Sequence, residues 1–424
     1  MGIYRSDSCS VSHYTADIMK KVLILGAGKS GLAAEALLND RCSTVLWDDK
    51  FEGPKPQVSD FDELIMSPGI PLTHPMAAEA KKLGIRVNGE LQLAYENCAG
   101  RFVGITGTNG KTTTTTLVGE IFKAAGFDTK VAGNIGLPVS SQIESAEKDT
   151  VMVTEISSFQ LETISSFKPW ISAILNITPD HLNRHGSFEE YARFKSLVCS
   201  NQDENSYFIY NAEDPVCVEI AKNCKAKCVA FSAKDNKPFA ITDIRIPGKH
   251  NMENALAAAA ICLCAGISED VIRKTIAEFP GVEHRIEFVK EVNGVRYVND
   301  SKGTNPDASV KAIEATYTPI LLIAGGYDKH LDLTDFINSF NGKVKDLLLL
   351  GQTAELFRET ALKCGFDAGH IHMCQNMREC VDTAYEIALP GDTVLLSPAS
   401  ASWGMYNNFE ERGEDFKNCV KLLK

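Results

Sequence analysis

The sequence of 424 residues lacks an apolar run long enough to cross a bilayer, so we expect no stable membrane insertion. It also lacks a basic excess, because the formal net charge is −12 at pH 7. General nucleic-acid binding needs a basic surface that releases counterions, so this charge argues against nucleic acid as a partner. An anionic small molecule would have to be held by local cations and by helix N-termini.

The 13 cysteines are scattered and odd in number, which argues against a disulfide framework and favours a reducing, cytoplasmic location. Cys217, Cys224 and Cys228 form a loose cluster. Their spacing lacks the paired Cys-x-x-Cys pattern of zinc sites, so a metal site here is disfavoured. Residues 1–19 are polar without an apolar signal core, and we assign this leader no role.

The length predicts two or three domains. Apolar runs of strand length alternate with helical patterns throughout, which predicts α/β folds with parallel sheets. We place an N-terminal Rossmann-like domain at residues 20–98, a central phosphate-loop domain at 99–280 and a C-terminal Rossmann-like domain at 281–424. The boundaries follow from a new strand after residue 100 and from the Phe-Pro-Gly break at 279–281.

A glycine-rich loop at residues 104–113 follows an apolar strand-like run and precedes a helix-like segment. That context is what a phosphate cradle requires, because glycines let backbone amides approach phosphate oxygens. Lys111 would then reach the β- and γ-phosphates, and the Thr112 hydroxyl would ligate Mg²⁺. The general pattern has a glycine where this chain has Ile105. The alternative is a glycine-rich turn with a solvated lysine.

A second glycine loop, Gly-Ala-Gly-Lys-Ser-Gly at residues 26–31, follows the apolar run 22–25. The next strand ends in Asp48 and Asp49, which completes a dinucleotide-type fingerprint. Its usual interpretation is a nicotinamide-dependent dehydrogenase. The motif requires only an anion at a helix N-terminus and a hydroxyl or N–H donor at the acidic residue, and a UDP-sugar supplies both.

Several polar residues lie where strands or helices end. Glu155 follows the apolar run 151–153 and is either a Mg²⁺ ligand or an ordinary strand-end carboxylate. His181 and His185 flank a turn, which fits a metal site or a surface loop equally well. Lys195 lies among apolar neighbours on a helical segment, where an ordinary lysine with a buried stem is the simpler interpretation.

Four stretches together carry a family resemblance. They are residues 106–112, Glu155 with 157–160, residues 300–302, and residues 397–402 with 408–413. From about residue 20 to its end, the chain resembles the Mur ligases, which use ATP to activate a carboxylate as an acyl phosphate that an amine attacks. The Ser-Pro-Ala-Ser-Ala-Ser run favours the branch that adds D-glutamate to UDP-N-acetylmuramoyl-L-alanine over the branch that adds L-alanine.

The resemblance implies the following residues. For the UDP-substrate they are Gly28, Lys29, Ser30, Asp48, Asp49, Ser67, Asn134, Gln160 and His181. For ATP they are Gly107, Thr108, Asn109, Gly110, Lys111, Thr112, Thr113, Asn251, Asn254, Arg285 and Asp300. For D-glutamate they are Lys302, Thr304, Lys329, Ser402 and Phe409, with a loop around Lys329 that varies within the family.

The resemblance also implies two Mg²⁺ ions, with Thr112, Glu155, His181 and a carbamate on Lys195 as the metal site. A lysine in partly apolar surroundings has a depressed pKa and a neutral amine that can react with CO₂. Lys111, His181 and Lys195 are the implied catalytic residues, with His181 as the candidate base. We expect a monomer that closes about hinges near 98–101 and 279–283 and serves cytoplasmic peptidoglycan precursor synthesis.

Overall fold

The computed structural model describes residues 20–244, 248–327 and 333–424. Two compact units divide them: one takes residues 20–244 and 250–279, and the other takes 248–249, 280–327 and 333–424. The described residues form three separate sheets, which fits the predicted three-domain α/β organisation. The boundaries at 98–99 and 280–281 stay predictions.

The first sheet is parallel, with the strand order β2-β1-β3-β4. Its elements are β1 (Lys21–Leu25), α1 (Lys29–Leu38), β2 (Ser43–Trp47), a 3₁₀ turn (Val58–Asp60), β3 (Glu63–Met66), α2 (Pro75–Lys82), β4 (Arg86–Gly89) and α3 (Glu90–Asn97). The side chains of residues 22–25 are all buried. A strand covered on both faces must be apolar throughout, which is why the sequence shows a continuous run there.

The central sheet is also parallel, with the order β10-β9-β8-β5-β7-β6. Its strands are β5 (Arg101–Thr106), β6 (Thr129–Gly133), β7 (Val151–Glu155), β8 (Ile171–Ile174), β9 (Tyr207–Asn211) and β10 (Lys227–Phe231). The helices with them are α4 (Lys111–Ala124), α5 (Ser158–Leu161), α6 (Leu182–His185), α7 (Phe188–Ser196), α8 (Pro215–Asn223), α9 (Lys249–Cys264) and α10 (Glu269–Glu278). Strand order reverses beside β5, so its carboxyl end lies where open α/β sheets bind ligands.

The third sheet has the order β11-β12-β16-β13-β14-β15. Its strands are β11 (Glu287–Val292), β12 (Val295–Asn299), β13 (Ile320–Ala324), β14 (Val344–Leu349), β15 (Ile371–Met373) and β16 (Thr393–Leu396). Its helices are α11 (Pro306–Ala315), α12 (Thr334–Asn338), α13 (Ala354–Lys363), α14 (Met377–Ile387) and α15 (Phe409–Lys421). Only β11 and β12 pair antiparallel among these described strands.

The antiparallel pair departs from the purely parallel sheet that the sequence pattern suggested. Asn293 and Gly294 connect the two strands, with φ angles of 52° and 77°. An Asn-Gly pair in this left-handed region makes the tight turn that joins neighbouring antiparallel strands. The Asn-Gly pair between two apolar runs was therefore a signal in the sequence for this antiparallel turn.

None of the helices that the structure describes is both long enough and apolar enough to span a membrane.

Candidate active site

The glycine loop of the central sheet leads from the end of β5 directly into α4. Gly107 and Gly110 have φ angles of 151° and 84°, a region that side chains disfavour. A Cβ atom added to Gly110 would lie 2.1 Å from Oδ1 of Asn254. The loop therefore needs glycine at this position, and it delivers the positive end of the α4 dipole to the carboxyl edge of the sheet.

Two backbone amides that we expected to bind phosphate instead donate hydrogen bonds to another residue of the protein. The amide of Thr108 donates to the carbonyl of Asn176 (2.9 Å), and that of Asn109 donates to Oδ1 of Asn176 (2.8 Å). Lys111 Nζ donates to the carbonyls of Gly107 and Thr108, each at 2.9 Å. Asn176 thus holds the loop in shape. Sequence reasoning missed it, although a polar residue just after a strand beside the loop was the available signal.

The asparagines of α9 reach the same loop. Oδ1 of Asn254 accepts from the Thr114 hydroxyl (3.4 Å), and Nδ2 of Asn254 donates to Oδ1 of Asn251 (3.4 Å). Both asparagines are buried. The structure therefore brings together the loop and the two α9 residues that the family resemblance assigned to ATP.

Glu155 ends β7 beside the loop and is 2% exposed. Its Oε1 accepts from Nδ2 of Asn134 (2.8 Å), whereas its Oε2 is buried without a hydrogen-bond partner among the described residues. A buried carboxylate oxygen without a partner is costly, and a bound cation would satisfy it. With the buried Thr112 in the first turn of α4, this donor set fits Mg²⁺.

Lys195 lies on α7 and is 1% exposed. Its Nζ donates to the carbonyl of Gly107 (2.8 Å) and lies 4.7 Å from the centre of the Tyr191 ring. Burial, and next the positive charge of Lys111, lower the pKa of Lys195 well below its usual value. The amine is therefore biased towards its neutral form, in place against the phosphate loop. Lys195 is therefore not an ordinary lysine with a solvated ammonium group.

Tyr191 connects Lys195 to the loop. Its hydroxyl shares a hydrogen bond of 3.1 Å with Oγ1 of Thr108. The tyrosine is buried, and that burial raises its pKa far above the usual value, so the hydroxyl stays protonated. Tyr191 was not among the residues singled out from the sequence.

The two histidines have different environments. His181 precedes α6 with a φ of 52°, packs 4.9 Å from the ring of Phe159 and has a half-exposed side chain. Burial of part of the ring lowers its pKa, so the imidazole is neutral near pH 7. His185 is buried, with Nε2 3.0 Å from Oγ of Ser158. His181 is therefore accessible, whereas His185 is packed in the core, and the assignment of His181 to the site stays a prediction.

In the first glycine loop, residues 26–31, backbone groups are hydrogen-bonded to side chains from the ends of neighbouring strands. Oδ2 of Asp48 accepts from the amide of Ala27 (3.0 Å), and the Ser67 hydroxyl donates to the carbonyl of Gly26 (3.0 Å). Asp49 pairs with His74 (3.0 Å) and with Lys55 (3.2 Å). In both aspartates, hydrogen bonds to the carboxylate are the main cause of a lowered pKa.

Gly28 caps the N-terminus of α1, and Lys29 and Ser30 are its first residues. They lie at a helix start, as an anion-binding loop requires. The sequence analysis had placed all three in the loop, whereas Lys29 and Ser30 already belong to the first turn of α1. Their assignment to a diphosphate stays a prediction.

Arg184 joins the first sheet to the central one. Its Nη2 donates to the carbonyl of Ile70 (2.9 Å) and to Oε2 of Glu162 (2.7 Å), and its Nη1 donates to the carbonyl of Gly69 (3.2 Å). The bridge fixes the loop after Ser67 against the segment that carries Gln160 and His181. Sequence reasoning did not single out Arg184, because nothing local distinguishes it from a surface arginine.

Gln160 completes a capping box at α5. Its Oε1 accepts from the amide of Ser157 (2.9 Å), and its own amide donates to Oγ of Ser157 (3.3 Å). The side chain is thereby held in one orientation, as a substrate contact would need.

In the second unit, Asp300 lies just beyond β12 and is 4% exposed. Its Oδ2 accepts from the Ser397 hydroxyl (2.7 Å), and its Oδ1 accepts from the amide of Ile286 (3.3 Å). Burial raises the pKa of Asp300 to about 7, against the opposing effects of the Ser397 hydrogen bond and the Arg285 charge.

Arg412, on α15, holds the polar loops of this unit together. Its guanidinium is 1% exposed and donates to the carbonyl of Ser301 (2.8 Å) and to that of Ser400 (3.0 Å). The Ser301 hydroxyl in turn donates to the carbonyl of Phe409 (2.7 Å). The two stretches of the family resemblance that lie in this unit, residues 300–302 and residues 397–402 with 408–413, therefore meet around one buried cation.

The residues assigned to D-glutamate lie along these loops. Nζ of Lys302 lies 5.6 Å from the centre of the Phe409 ring, and Ser402 is buried. The amide of Thr304 donates to the carbonyl of Lys302 (2.9 Å). Lys329 falls outside the described residues, so its assignment stays a prediction.

Comparison with known proteins shows the family to which this chain belongs. The family model "Mur ligase middle domain" matches residues 105–262, and "Mur ligase, glutamate ligase domain" matches residues 284–400. In fold, the chain is similar to UDP-N-acetylmuramate-alanine ligase from Thermotoga maritima, with a TM-score of 0.60 and 17% identity over 95% of this chain and 99% of that one. The chain belongs to the Mur ligase family.

Within that family, the chain is similar to particular ligases over nearly their whole length. It is 45% identical to the UDP-N-acetylmuramoylalanine--D-glutamate ligase of Thermoanaerobacter sp. (strain X514), over 96% of this chain and 99% of the relative. It is 43% identical to the ligase of the same name from Clostridioides difficile (strain 630), with the same two coverages. These relatives do not favour the dehydrogenase or the L-alanine-adding alternative.

Proposed function

We propose that this protein is an ATP-dependent ligase that joins D-glutamate to UDP-N-acetylmuramoyl-L-alanine, with ADP and phosphate as the other products. The reaction would belong to cytoplasmic peptidoglycan precursor synthesis, and so to cell-wall growth and division. The observation that carries the proposal is near full-length similarity to ligases of that name, at up to 45% identity. The proposal is supported by two features beside the β5–α4 loop, the buried Lys195 and the buried Oε2 of Glu155, which has no hydrogen-bond partner in the described part of the chain.

The protein's own groups support phosphoryl transfer in the first unit. The N-terminus of α4 and the Lys111 ammonium offset negative charge on bound phosphates. Thr112 and Glu155 would hold Mg²⁺, with a second ion near His181. The metal, when bound, would neutralise charge on the transferring phosphoryl group. The substrate carboxylate then becomes an acyl phosphate, which the D-glutamate amine attacks.

Amide formation also needs a proton acceptor, because the attacking amine must lose a proton. His181 is half-exposed at the edge of the loop, and its lowered pKa leaves the imidazole neutral near pH 7. A neutral imidazole can accept a proton at a ring nitrogen. We therefore assign His181 as the candidate base, in addition to its place near a metal ion.

The second unit would bind the amino acid through Lys302, Thr304, Lys329, Ser402 and Phe409. Arg412 would support these loops, since its guanidinium donates to the carbonyls of Ser301 and Ser400. Arg285 and Asp300 would contribute to ATP binding. We further propose that the enzyme acts as a monomer.

Lys195 fits the carbamate that the family resemblance implies. The reaction needs a neutral amine, which adds to CO₂ and releases one proton to give an anion that can bind metal. Burial beside Lys111 favours that neutral amine. With ¹³C-labelled bicarbonate, we expect a carbamate resonance that is absent from Lys195→Ala. Short carboxylates should partly restore the activity of Lys195→Ala. Full activity of Lys195→Arg would contradict the carbamate.

The decisive test measures phosphate release with ATP and UDP-N-acetylmuramoyl-L-alanine while the acceptor amino acid is varied. We expect release and a new amide product with D-glutamate, and neither with L-lysine. The matched control replaces the UDP-substrate by UDP-N-acetylmuramate and the acceptor by L-alanine. Turnover in that control, without turnover in the first reaction, would assign the chain to the L-alanine-adding branch. Reduction of a nicotinamide cofactor would favour a dehydrogenase.

A further inference from the structure

A strained turn lies just before β11 in the second unit. His284 and Ile286 have φ angles of 61° and 47°, in the left-handed region that side chains disfavour. For Ile286 the conformation is especially unusual, because its side chain branches at Cβ. Arg285 lies between them, and the family resemblance assigns it to ATP. Strained backbone persists only where surrounding contacts hold it, and it is concentrated at functional sites.

Hydrogen bonds from neighbouring segments hold the backbone of this turn. The amide of His284 donates to Oε2 of Glu287 (2.8 Å), and the amide of Ile286 donates to Oδ1 of Asp300 (3.3 Å). The carbonyl of His284 accepts from the amide of Lys302 (3.0 Å). The turn is therefore tied to the first residue of β11 and to the segment after β12.

The ring of His284 is buried against α15. Oδ1 of Asn299 accepts from the amide of Ser301 (3.1 Å), so its Nδ2 is left to donate to Nδ1 of His284 (3.0 Å). A Cβ atom added to Gly413 would lie 2.3 Å from that same Nδ1. The helix can approach the ring this closely only because residue 413 is glycine. The position of α15 therefore fixes the position of the ring.

A lysine of the same helix connects both sides of the turn to α15. Lys417 lies one helical turn beyond Gly413 and is 8% exposed. Its Nζ contacts Oε1 of Glu283, Oε1 of Glu414 (2.6 Å) and Oε1 of Glu287 (3.3 Å). Glu283 precedes the strained residues and Glu287 follows them. One buried ammonium therefore ties the two ends of the turn to one helix.

The carboxylates around Lys417 keep its ammonium charged. Burial alone would lower the pKa of Lys417, but hydrogen bonds with Glu283 and Glu414 raise the pKa above its usual value. The contact with Lys417 is also the main cause of a lowered pKa of Glu283. Without the ammonium, three carboxylates would meet at one point and repel one another. The turn would then lose the contact that draws its two ends together.

We propose that Lys417 is a positioning residue for Arg285, because it holds the strained turn at residues 284–286 in the conformation that presents the Arg285 side chain to ATP. This inference rests on the proposed function, since it takes Arg285 as an ATP contact. Arg412 on the same helix donates to the carbonyls of Ser301 and Ser400, in loops assigned to D-glutamate. Helix α15 would then support the contacts to both co-substrates.

The first test compares Lys417→Met with Lys421→Met, a matched control at an exposed lysine of the same helix. Methionine keeps most of the side-chain length and removes the charge. In Lys417→Met we expect calorimetry to show about tenfold weaker binding of a non-hydrolysable ATP analogue. Lys417→Arg, which keeps a cation, should recover most of this loss, and Lys421→Met should bind like the natural chain. Unchanged binding in Lys417→Met would overturn the proposal.

A double-mutant cycle distinguishes positioning from a general effect on structure. Arg285→Ala alone should weaken binding of the analogue at least about tenfold, through loss of a charge-assisted contact. Adding Lys417→Met to Arg285→Ala should cause no further loss, because the group that Lys417 positions is already absent. Losses that multiply would overturn the proposal. If Lys417→Met does not fold, its combination with Glu283→Gln removes one of the carboxylates left unpaired, and the same cycle applies.

Hydrogen exchange gives an independent measurement on the full chain without substrates. Amides of residues 284–287 should exchange faster in Lys417→Met than in Lys421→Met, and equal rates would contradict the restraint on the turn. Binding of the analogue needs neither D-glutamate nor the UDP-substrate, so it can be judged apart from the proposed function. If Arg285→Ala binds the analogue normally while the natural chain still forms product with D-glutamate, the positioning role is wrong and the ligase assignment stands. If the cycle behaves as expected but no product forms with D-glutamate, the ligase assignment is wrong and the positioning role stands.

Discussion

The chain contains two loops with the same local plan, a buried parallel strand followed by glycines and a helix start. The β1–α1 loop is closed by Asp48 and Ser67, which bond to its own backbone. The β5–α4 loop is flanked by Glu155, whose buried Oε2 has no hydrogen-bond partner among the residues that the structure describes, and by the buried Lys195. Glycine spacing therefore marks a loop that can hold an anion. We expect the residues at the ends of neighbouring strands to decide whether such a loop only binds an anion or also supports chemistry.

The largest expected difference between the loops concerns their lysines. Lys111→Ala should lower the rate of ADP formation by about 10²- to 10³-fold, since a preorganised cation at the transferring phosphoryl group is lost. Binding of UDP-N-acetylmuramoyl-L-alanine, measured by calorimetry, should persist. Lys29→Ala is the matched control, and it should weaken that binding while turnover at saturating substrate remains. Equal effects of the two substitutions on turnover would contradict the proposed difference between the two loops.

The second largest difference is expected between the carboxylates of the two loops, Glu155 and Asp48, in their effect on the Mg²⁺ requirement. Glu155→Gln keeps the shape and removes the charge, so the Mg²⁺ concentration needed for half-maximal activity should rise on the order of 100-fold. Asp48→Asn is the corresponding change at the first loop and should leave the Mg²⁺ requirement unaltered. A magnesium titration of activity checks both. An unchanged requirement in Glu155→Gln would remove this residue from the metal site.

The glycines provide a smaller effect, which can be measured without substrate. Gly110→Ala places a Cβ at a φ of 84° and 2.1 Å from Oδ1 of Asn254, so we expect a loss of about 1–3 kcal/mol in the free energy of unfolding. Gly28→Ala meets no atom within 4 Å at a φ of −77°, so its effect should stay within about 0.5 kcal/mol. Denaturant unfolding distinguishes the two. A larger loss in Gly28→Ala would show that the first loop is the more constrained one.

The smallest effect concerns acid stability at the first loop. Amides of Ala27 and Lys50 lower the pKa of Asp48, so its stabilising contribution is present above its unfolded pKa of about 4 and disappears as pH falls through the lower folded value. Asp48→Asn should therefore be slightly less stable than the natural chain at pH 7, and the gap should close in acid. Denaturant midpoints at several pH values measure it. A gap that widens towards low pH would contradict the assigned contacts.

Much of the fold could be predicted because buried parallel strands appear in the sequence as continuous apolar runs, as in residues 22–25 and 151–153. The positions of both glycine loops, of Glu155 and of the α9 asparagines followed from the same pattern and the family resemblance. Asn176, Tyr191 and Arg184 were missed because their roles depend on contacts between residues distant in sequence. The burial that sets the state of Lys195 likewise has only a weak local signal, since its neighbours describe a core helix as well as a site.

The most direct test of the central claim is a crystal structure with Mg²⁺ and a non-hydrolysable ATP analogue. We predict the triphosphate at the start of α4, with a metal ion about 2.1 Å from Oε2 of Glu155. A triphosphate at residues 26–31, or a bound nucleotide at α4 with Glu155 away from any metal, would contradict the account.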